Sequence, residues 1–158
     1  MNYRILLINK KFIFFLSFVI ILTILLFASS SLISIVVIRG NSMNPTLDSG
    51  DRVIVLKSQN SLENIQYKDI VIFKVPNDSN QQFVKRVIAV EKQEYILKEG
   101  VLKIDGVNHC EEYIDCLDYS LENYSQFSGV VPLNKVYLLG DNRSESNDSR
   151  QFGYICST

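Results

Sequence analysis

A long uncharged run near the N-terminus, from Phe12 to Ile38, most constrains how this chain can fold. It opens with FIFFLSFVIILTILLFASSS, and a helix of about 20 apolar residues is long enough to cross the roughly 30 Å hydrocarbon layer of a membrane. The whole run is longer than this, so part of it must lie outside. Because Ser29 to Ser31 interrupt the run, we predict a transmembrane helix over Phe12 to Ala28, followed by a strand in LISIVV.

The charges around this run predict its orientation. Arg4, Lys10 and Lys11 precede it, and no acidic residue occurs before Asp48. Because basic flanks stay on the cytoplasmic side, we expect residues 1–11 in the cytoplasm and residues 29–158 outside. The alternative is a cleaved signal peptide, which also has a basic start, an apolar core and small residues at its end. The length of the apolar core favours the anchor.

Strand patterns dominate the rest of the chain. Short segments rich in Val, Ile and aromatic residues are bounded by Gly, Pro, Asn or Asp. They are DRVIVLK (Asp51 to Lys57), DIVIFKV (Asp69 to Val75), QFVKRVIAVE (Gln82 to Glu91), YILKEGVLKIDG (Tyr95 to Gly106) and NKVYLLGD (Asn134 to Asp141). The fourth predicts a hairpin that turns near Glu99-Gly100. We therefore predict a mainly antiparallel β domain, with an irregular, acidic excursion from the sheet at residues 107–132.

Charge, histidine and cysteine content argue against several function classes. The chain has 16 Lys and Arg against 17 Asp and Glu, with no basic patch, which disfavours nucleic acid as a partner. It has one histidine, His109, and no CxxC pair, so we expect neither a metal site nor a cofactor. A Ser-His-Asp arrangement with His109 is possible, but its acidic, irregular surroundings disfavour it. Cys110 and Cys116 could form a disulfide, although Cys156 makes the cysteine number odd.

A lysine on a predicted strand is the first chemical candidate. In FVKRVIAV, Lys85 shares one face with Phe83, Val87 and Ala89. Apolar neighbours would remove water from the ammonium group and lower its pKa from about 10.4. A neutral amine near neutral pH is a general base, and it would activate a serine placed beside it.

The candidate serine is Ser42, in the turn-forming stretch GNSMNPTL directly after the apolar run. A third stretch, LLGDNRSESNDSR, is polar and follows the last predicted strand. Taken singly, each stretch has a plain structural explanation: a turn serine, a solvated lysine and a loop held by a salt bridge. Only their combination favours chemistry.

Together, IRGNSMNPTLDSGDRVIV, FVKRVIAV and LLGDNRSESNDSR resemble the motif blocks of bacterial type I signal peptidases. These membrane-bound serine proteases cut signal peptides from exported preproteins. The order and spacing of the blocks are far more specific than any one of them. With a single apolar segment and no large inserted domain, the chain resembles the compact, Gram-positive form. The resemblance implies an antiparallel β-sheet or coiled-barrel domain, behind one plasma-membrane helix.

The resemblance also implies roles for individual residues. Ser42 is expected to be the nucleophile, Lys85 the general base, and Ser146 the residue that orients the lysine amine. The residues expected to support the site are Asp148, Arg150, Asp141, Asn142 and Arg86. The backbone N–H of Ser42 is the natural first donor to the oxyanion. Gly40 stands where some branches of the family carry a second donor, a hydroxyl.

Substrate binding is expected to use strand addition. The resemblance implies that an extended signal peptide pairs with Ser34 to Asn41 and Gln82 to Lys85, with Gly40, Met43 and Val84 in the cleft. Shallow pockets would select small residues of the Ala-x-Ala type.

Two rival functions use the same residues differently. A specialised peptidase for one client, such as a pilin, a conjugation protein or a peptide precursor, would share the serine and lysine chemistry. A catalytically silent, membrane-tethered β module would only bind extended peptides. Self-cleaving repressors also share this chemistry, but they carry a DNA-binding segment where this chain has its apolar run.

The C-terminal end departs from the family pattern. Only GYICST follows Phe152, whereas signal peptidases usually continue with chain that completes the sheet. We therefore expect either a fragment or a lost final strand, which would leave an unpaired edge.

Overall fold

The computed structural model describes residues 9–57, 64–75, 78–114 and 126–156. The chain divides into two compact units, Met1–Val36 with Ile54–Ser58, and Val37–Val53 with Gln59–Thr158. The elements in chain order are α1 (Lys10–Leu32), β1 (Ile33–Val37), β2 (Arg52–Leu56), β3 (Ile70–Val75), β4 (Asp78–Ala89), β5 (Glu94–Lys98), β6 (Val101–Ile104), β7 (Val107–His109), β8 (Phe127–Val130), β9 (Lys135–Leu139), α2 (Ser149–Phe152) and β10 (Ile155–Cys156).

The N-terminal helix is longer than predicted. It begins after Asn9, whose side chain caps the first turn, and it continues through Ser29 to Ser31 as far as Leu32. Serine does not have to end a helix, because its hydroxyl can bond to a carbonyl of the preceding turn. Ser17 does this in the same helix, donating to the Phe14 carbonyl oxygen at 2.9 Å. The predicted exit at the three serines therefore does not coincide with the end of the helix.

The apolar side chains of α1 from Phe12 to Ile24 are exposed. Among the described residues, no helix meets the combination of length and apolar character needed to cross a membrane. The structure thus confirms a helix over the predicted segment Phe12 to Ala28, and its crossing of a membrane stays a prediction.

Three sheets account for the described strands. β1 and β2 form a two-stranded sheet. A four-stranded sheet with the order β10-β9-β4-β3, called the site sheet below, and a second with the order β7-β6-β5-β8, called the hairpin sheet, contain the others. Every pairing in the two larger sheets is antiparallel. This confirms the mainly antiparallel β prediction, although the described strands form separate sheets and no closed barrel.

The hairpin sheet follows the predicted alternation. β5 and β6 pair across a turn in which Glu99 and Gly100 have φ values of 50° and 75°. Positive φ at both central residues is typical of the tight turns that match strand twist, and glycine adopts it without strain. Leu97 and Leu102 are paired partners on the buried face.

Two parts of the chain that we predicted to be irregular or incomplete form strands. Within residues 107–132, β7 pairs with β6 and β8 pairs with β5, so the ends of this segment belong to the hairpin sheet and are not an excursion from it. At the other end, β10 pairs with β9 through Ile155 opposite Val136. This edge therefore carries a short strand, and the expectation of a fragment or a lost final strand beyond it stays a prediction. Both parts form very short strands, whose few residues give no readable alternation.

The site sheet is covered by apolar side chains on both faces. One cluster contains Ile88 and Leu139 and joins the hairpin sheet, and the other contains Val87, Leu138 and Ile155. Consequently, β4 is buried continuously from Lys85 to Ala89 and β9 from Val136 to Leu139. A charged residue at the start of such a run loses most of its water.

Candidate active site

Ser42 lies on a short turn that precedes β2. Gly40 enters the turn with φ of 87°, which favours glycine. The Leu47 N–H donates to the Met43 carbonyl oxygen at 2.9 Å. The Met43 side chain is only 1% exposed, so it anchors the turn in the interior and does not line an open cleft. Ser42 is half-buried on a turn that the Met43 side chain holds in place.

Lys85 meets Ser42 directly. The Lys85 Nζ atom lies 2.7 Å from the Ser42 Oγ atom and 3.0 Å from the Val84 carbonyl oxygen. The lysine is only 2% exposed, and its Nζ atom lies 5.2 Å from the centre of the Phe83 ring. The predicted apolar enclosure of this lysine and its proximity to the serine are both present.

The surroundings of Lys85 favour its neutral form. Burial lowers the pKa of its ammonium group below the ordinary value, although the carboxylates of Asp148 and Asp141 partly oppose this shift. A neutral amine has two N–H groups and one lone pair. If one N–H donates to Val84, the lone pair remains free to accept the Ser42 proton. This arrangement can activate the hydroxyl for nucleophilic attack.

Arg86 and Asp141 form a buried ion pair next to Lys85. Two guanidinium nitrogens of Arg86 donate to the two Asp141 oxygens at 2.8 and 2.7 Å. Burial opposes the charge of Arg86, but Asp141 outweighs it and raises the pKa of the guanidinium. The Thr46 hydroxyl also donates to Asp141, at 2.5 Å. Asp141 therefore ties the Ser42 turn to β4.

Asp148 and Arg150 form a second ion pair, with 2.8 Å between an Asp148 oxygen and the Arg150 Nε atom. Asp148 has no exposed surface, and it also accepts from the Gly140 N–H at 3.0 Å. It caps α2 in a capping box with Gln151. Arg150 in turn donates to the Arg143 carbonyl oxygen at 2.7 Å. The pair thus fixes the loop between β9 and α2.

Ser146 is buried on this loop beside Gly140. A side-chain carbon built on Gly140 would overlap the Ser146 side chain and the Ser42 carbonyl oxygen. Glycine is therefore required here by space alone. The Ser146 hydroxyl has no hydrogen-bond partner within the described part of the chain, so the expected bond to the lysine amine is not formed.

Asn142 contributes through its backbone. Its N–H donates to the Ser42 carbonyl oxygen at 3.1 Å. Its side chain stays within its own loop, where its Oδ1 atom accepts from the Ser144 hydroxyl at 2.9 Å. Asn142 therefore ties the loop after β9 to the Ser42 turn.

β4 changes from a singly to a doubly paired strand at the site. β3 pairs with β4 at Val84 and Arg86, whereas β9 pairs with β4 only from Arg86 onward. The Val87 N–H donates a hydrogen bond to the carbonyl oxygen of Asp69, the residue that directly precedes β3. Because backbone groups alternate along a strand, those of Val84 point the other way. No described strand pairs with them there.

The sequence reasoning missed a third ion pair near the site, which is buried as well. Arg143 and Glu111 approach to 2.5 Å, and each side chain is 1% exposed. Tyr113 donates to the same carboxylate at 2.6 Å, and its ring lies 3.9 Å from the Arg86 guanidinium carbon. No motif links these residues, although burial of a Glu in an acidic segment requires such a partner.

The histidine and cysteine predictions have mixed outcomes. His109 is half-buried, and its ring is in edge contact with the Tyr67 ring at 4.8 Å between centroids. Cys110 and Cys156 are exposed, and neither forms a disulfide with a cysteine in the described part of the chain. Cys116 lies outside the described residues, so a bond between it and Cys110 stays a prediction. Within the described ranges, no group of three or more His, Cys, Asp or Glu side chains could hold a metal ion.

Comparisons with known proteins agree on one family. Residues 11–158 match the family described as signal peptidase, peptidase S26. A probable signal peptidase I-1 of a Synechocystis strain is 36% identical over 125 residues, which cover 75% of this chain and 62% of that protein. The chain thus spans less than two thirds of that relative.

Other relatives extend the comparison. An inactive signal peptidase IA of Staphylococcus aureus is 32% identical over 146 residues, covering 90% of this chain and 82% of that protein. The crystal structure of a signal peptidase I from Enterococcus faecalis is similar with a TM-score of 0.53 and 30% identity, covering 61% of this chain and 92% of that one.

Proposed function

We propose that this chain, which belongs to the signal peptidase S26 family, is a serine endopeptidase that removes N-terminal signal peptides from exported preproteins. The observation that carries the proposal is the 2.7 Å contact between the Ser42 hydroxyl and the buried Lys85 amine. A solvated lysine would be protonated at neutral pH and would be no base, whereas this amine is enclosed.

The reaction begins with attack by Ser42. Its oxygen bonds to the scissile carbonyl carbon while Lys85 takes its proton, and the carbonyl oxygen becomes negatively charged. The backbone N–H of Ser42 is the proposed donor to this oxyanion. When the tetrahedral intermediate collapses, the C–N bond breaks and the Lys85 ammonium protonates the departing amine. The signal peptide remains as an ester on Ser42.

Hydrolysis of the ester repeats the steps with water. Lys85 takes a proton from a water molecule, whose oxygen attacks the ester carbon. Collapse of the second intermediate releases the signal peptide carboxylate, and the proton returns to Ser42. The same buried amine thus serves both half-reactions.

We assign supporting roles to the residues around this pair. Ser146 is proposed to orient the Lys85 amine, since its buried hydroxyl is uncommitted among the described residues. The two ion pairs, Arg86 with Asp141 and Asp148 with Arg150, hold the strand and the loop that bear Lys85 and Ser146.

The proposed substrate pairs with the open edge of β4. The backbone groups of Val84 point away from β3, where an extended peptide can add as a strand. A peptide bound there would run past Lys85. We propose small residues of the Ala-x-Ala type before the cut bond.

We further propose that α1 holds the enzyme at the plasma membrane, with its N-terminus cytoplasmic and residues 29–158 outside. Its apolar side chains, such as Phe14 and Ile24, are 80% and 61% exposed, and water solvates such surface poorly. A signal peptide is itself held in the bilayer, and a shared membrane raises the effective concentration of the two partners. Sedimentation of the full chain with membranes tests this, and a soluble full chain would contradict it.

The decisive experiment is cleavage of a peptide that carries Ala-x-Ala before the cut bond, using full-length protein in detergent. We expect Ser42→Ala and Lys85→Ala to abolish turnover while circular dichroism stays unchanged. Lys85→Arg should fail too, because a guanidinium group cannot give up its proton. Normal cleavage by Lys85→Ala would contradict the assignment.

The same assay separates the proposed peptidase from a catalytically silent peptide-binding module. This alternative needs a test because a relative of the chain is named an inactive signal peptidase. A silent module would bind the peptide with no cleavage by any variant. A catalyst would show turnover that depends on both Ser42 and Lys85.

A further inference from the structure

We infer that Glu111 and Tyr113 are positioning residues for the proposed reaction, bracing Lys85 and the Ser146 loop from a segment outside both. The inference rests on the proposed function. Neither residue touches Ser42 or Lys85 in a described contact, so each would act through an arginine.

Glu111 acts on the loop that follows β9. The Glu111 carboxylate pairs with two guanidinium nitrogens of Arg143, at 2.5 and 3.3 Å. The Arg143 Nε atom donates to the Gly140 carbonyl oxygen at 3.0 Å. Gly140 is the residue that lies against both the Ser42 carbonyl and the Ser146 side chain. A change at Glu111 would therefore be transmitted through Arg143 to Gly140, where the loop after β9 lies against Ser42 and Ser146.

Tyr113 acts on β4. Its ring covers the Arg86 guanidinium at 3.9 Å, and Arg86 directly follows Lys85. Stacking on an aromatic face holds a guanidinium group in one plane. The Tyr113 hydroxyl donates to Glu111 at 2.6 Å. Burial and the Glu111 carboxylate raise the pKa of Tyr113, so the hydroxyl stays protonated and keeps donating.

The two contacts form one connected network. Tyr113 and Glu111 are bonded to each other, and each holds a different arginine of the site. Both side chains of the Glu111–Arg143 pair are almost fully buried, so replacement of Glu111 removes a desolvated carboxylate that faces the guanidinium of Arg143. In such a network the effects of single substitutions are expected not to add.

The neighbouring Glu112 provides a matched control. It lies in the same short segment and carries the same side chain, but it is exposed. An electrostatic or foldability effect of any carboxylate in this segment would affect both residues. An effect through Arg143 would affect Glu111 alone.

The test compares kcat, KM and melting temperature of full-length Glu111→Gln and Glu112→Gln in the peptide assay. We expect Glu111→Gln to lower kcat by about tenfold to a hundredfold with KM changed less than about twofold, because misplacement of reacting groups lowers the rate of the bound complex. Glu112→Gln should match the wild type. Rates are measured well below each melting temperature, so that loss of folded protein does not contribute.

Tyr113 provides a second, independent series. Tyr113→Phe keeps the ring over Arg86 and loses the hydroxyl, whereas Tyr113→Leu loses both. We expect kcat to be highest in the wild type, lower in Tyr113→Phe and lowest in Tyr113→Leu. If only the hydroxyl mattered, the two variants would have the same kcat. If Glu111→Gln does not fold, this series alone decides the inference.

The outcomes separate the two proposals. No cleavage by the wild type, or cleavage that Ser42→Ala leaves unchanged, would contradict the proposed function. An active wild type with unchanged kcat in folded Glu111→Gln, or with Phe and Leu equal at position 113, would overturn the positioning role alone. A kcat loss shared by Glu112→Gln would overturn it as well.

Discussion

The two four-stranded sheets have similar strand composition but different burial. In the hairpin sheet, β6 alternates exposed and buried residues, so that Leu102 and Ile104 face the core while Val101 and Lys103 face outward. In the site sheet, β4 is buried continuously from Lys85 to Ala89. The hairpin sheet has apolar packing on one face, and the site sheet has it on both.

This difference gives a physical reason for the place of the proposed chemistry. A half-exposed strand keeps its charged side chains in water. A strand covered on both faces has no face open to water, so Lys85 and Arg86 at its start are desolvated. Burial lowers the pKa of the lysine, and the arginine pairs with Asp141. Substitutions in the hairpin sheet should accordingly lower stability alone, whereas those around the site sheet should affect stability, the proposed chemistry or both.

The largest expected effect is on the site side, at Asp148. Asp148→Ala removes the partner of Arg150 and the acceptor of the Gly140 N–H. We expect a loss of about 3–5 kcal/mol in the free energy of unfolding, because a buried charge is left without compensation. Denaturant unfolding measures this loss. Asp148→Asn, which keeps a cap and an acceptor, should lose less, and equal losses would contradict the ion-pair explanation.

The next effect is on the hairpin side, at Leu102. Leu102→Ala creates a cavity at a fully buried position, with an expected loss of about 2–5 kcal/mol in the free energy of unfolding. The kcat of the folded fraction should remain that of the wild type. Leu102→Met, which nearly preserves the volume, serves as the control. A kcat change in folded Leu102→Ala would break the division between the sheets.

A pair of glycines sharpens the comparison further. Gly140→Ala forces the Ser42 turn and Ser146 apart, and we expect roughly a hundredfold loss of kcat. Gly106, at the β6–β7 turn of the hairpin sheet, has φ of 79° and open space around it. Gly106→Ala should cost stability through backbone strain while kcat is kept. Peptide cleavage at a temperature where both variants are folded measures their kcat values. Equal losses of kcat in Gly140→Ala and Gly106→Ala would contradict the difference between the two sheets.

The smallest effect is the pH dependence. Because burial lowers the Lys85 pKa, the neutral base persists to lower pH than a solvated lysine would allow. Activity is full above the folded-state pKa and falls about tenfold per pH unit below it. The pH profile of kcat/KM for the free enzyme measures this limb. A limb at the ordinary lysine pKa would mean that Lys85 is solvated.

Much of the hairpin sheet and the centre of the site sheet could be predicted from the sequence. Alternation and turn residues placed β5, β6 and the turn at Glu99-Gly100 correctly. The same reasoning predicted the enclosure of Lys85, because strand periodicity put apolar neighbours on its face. These features depend on residues close together in the chain.

The remainder depends on contacts that local patterns do not encode. α2 has four residues, too few for helical periodicity, and only the capping pair Asp148 and Gln151 marked it. Glu111 and Arg143 are 32 positions apart, and no spacing rule joins them. Their burial together follows from the packing of a segment that looked polar and irregular.

The early end of β9 has a consequence for the open edge of β4. In the antiparallel register that sets Leu139 opposite Arg86, continued pairing would bring Asp141 alongside Val84. Instead, Gly140 turns its N–H to Asp148, and Asp141 turns its carboxylate to Arg86. The protein's own chain is thereby diverted from the edge it would otherwise occupy. If replacement of either carboxylate let residues 140 and 141 pair with that edge, they would compete with a peptide strand for the same backbone groups.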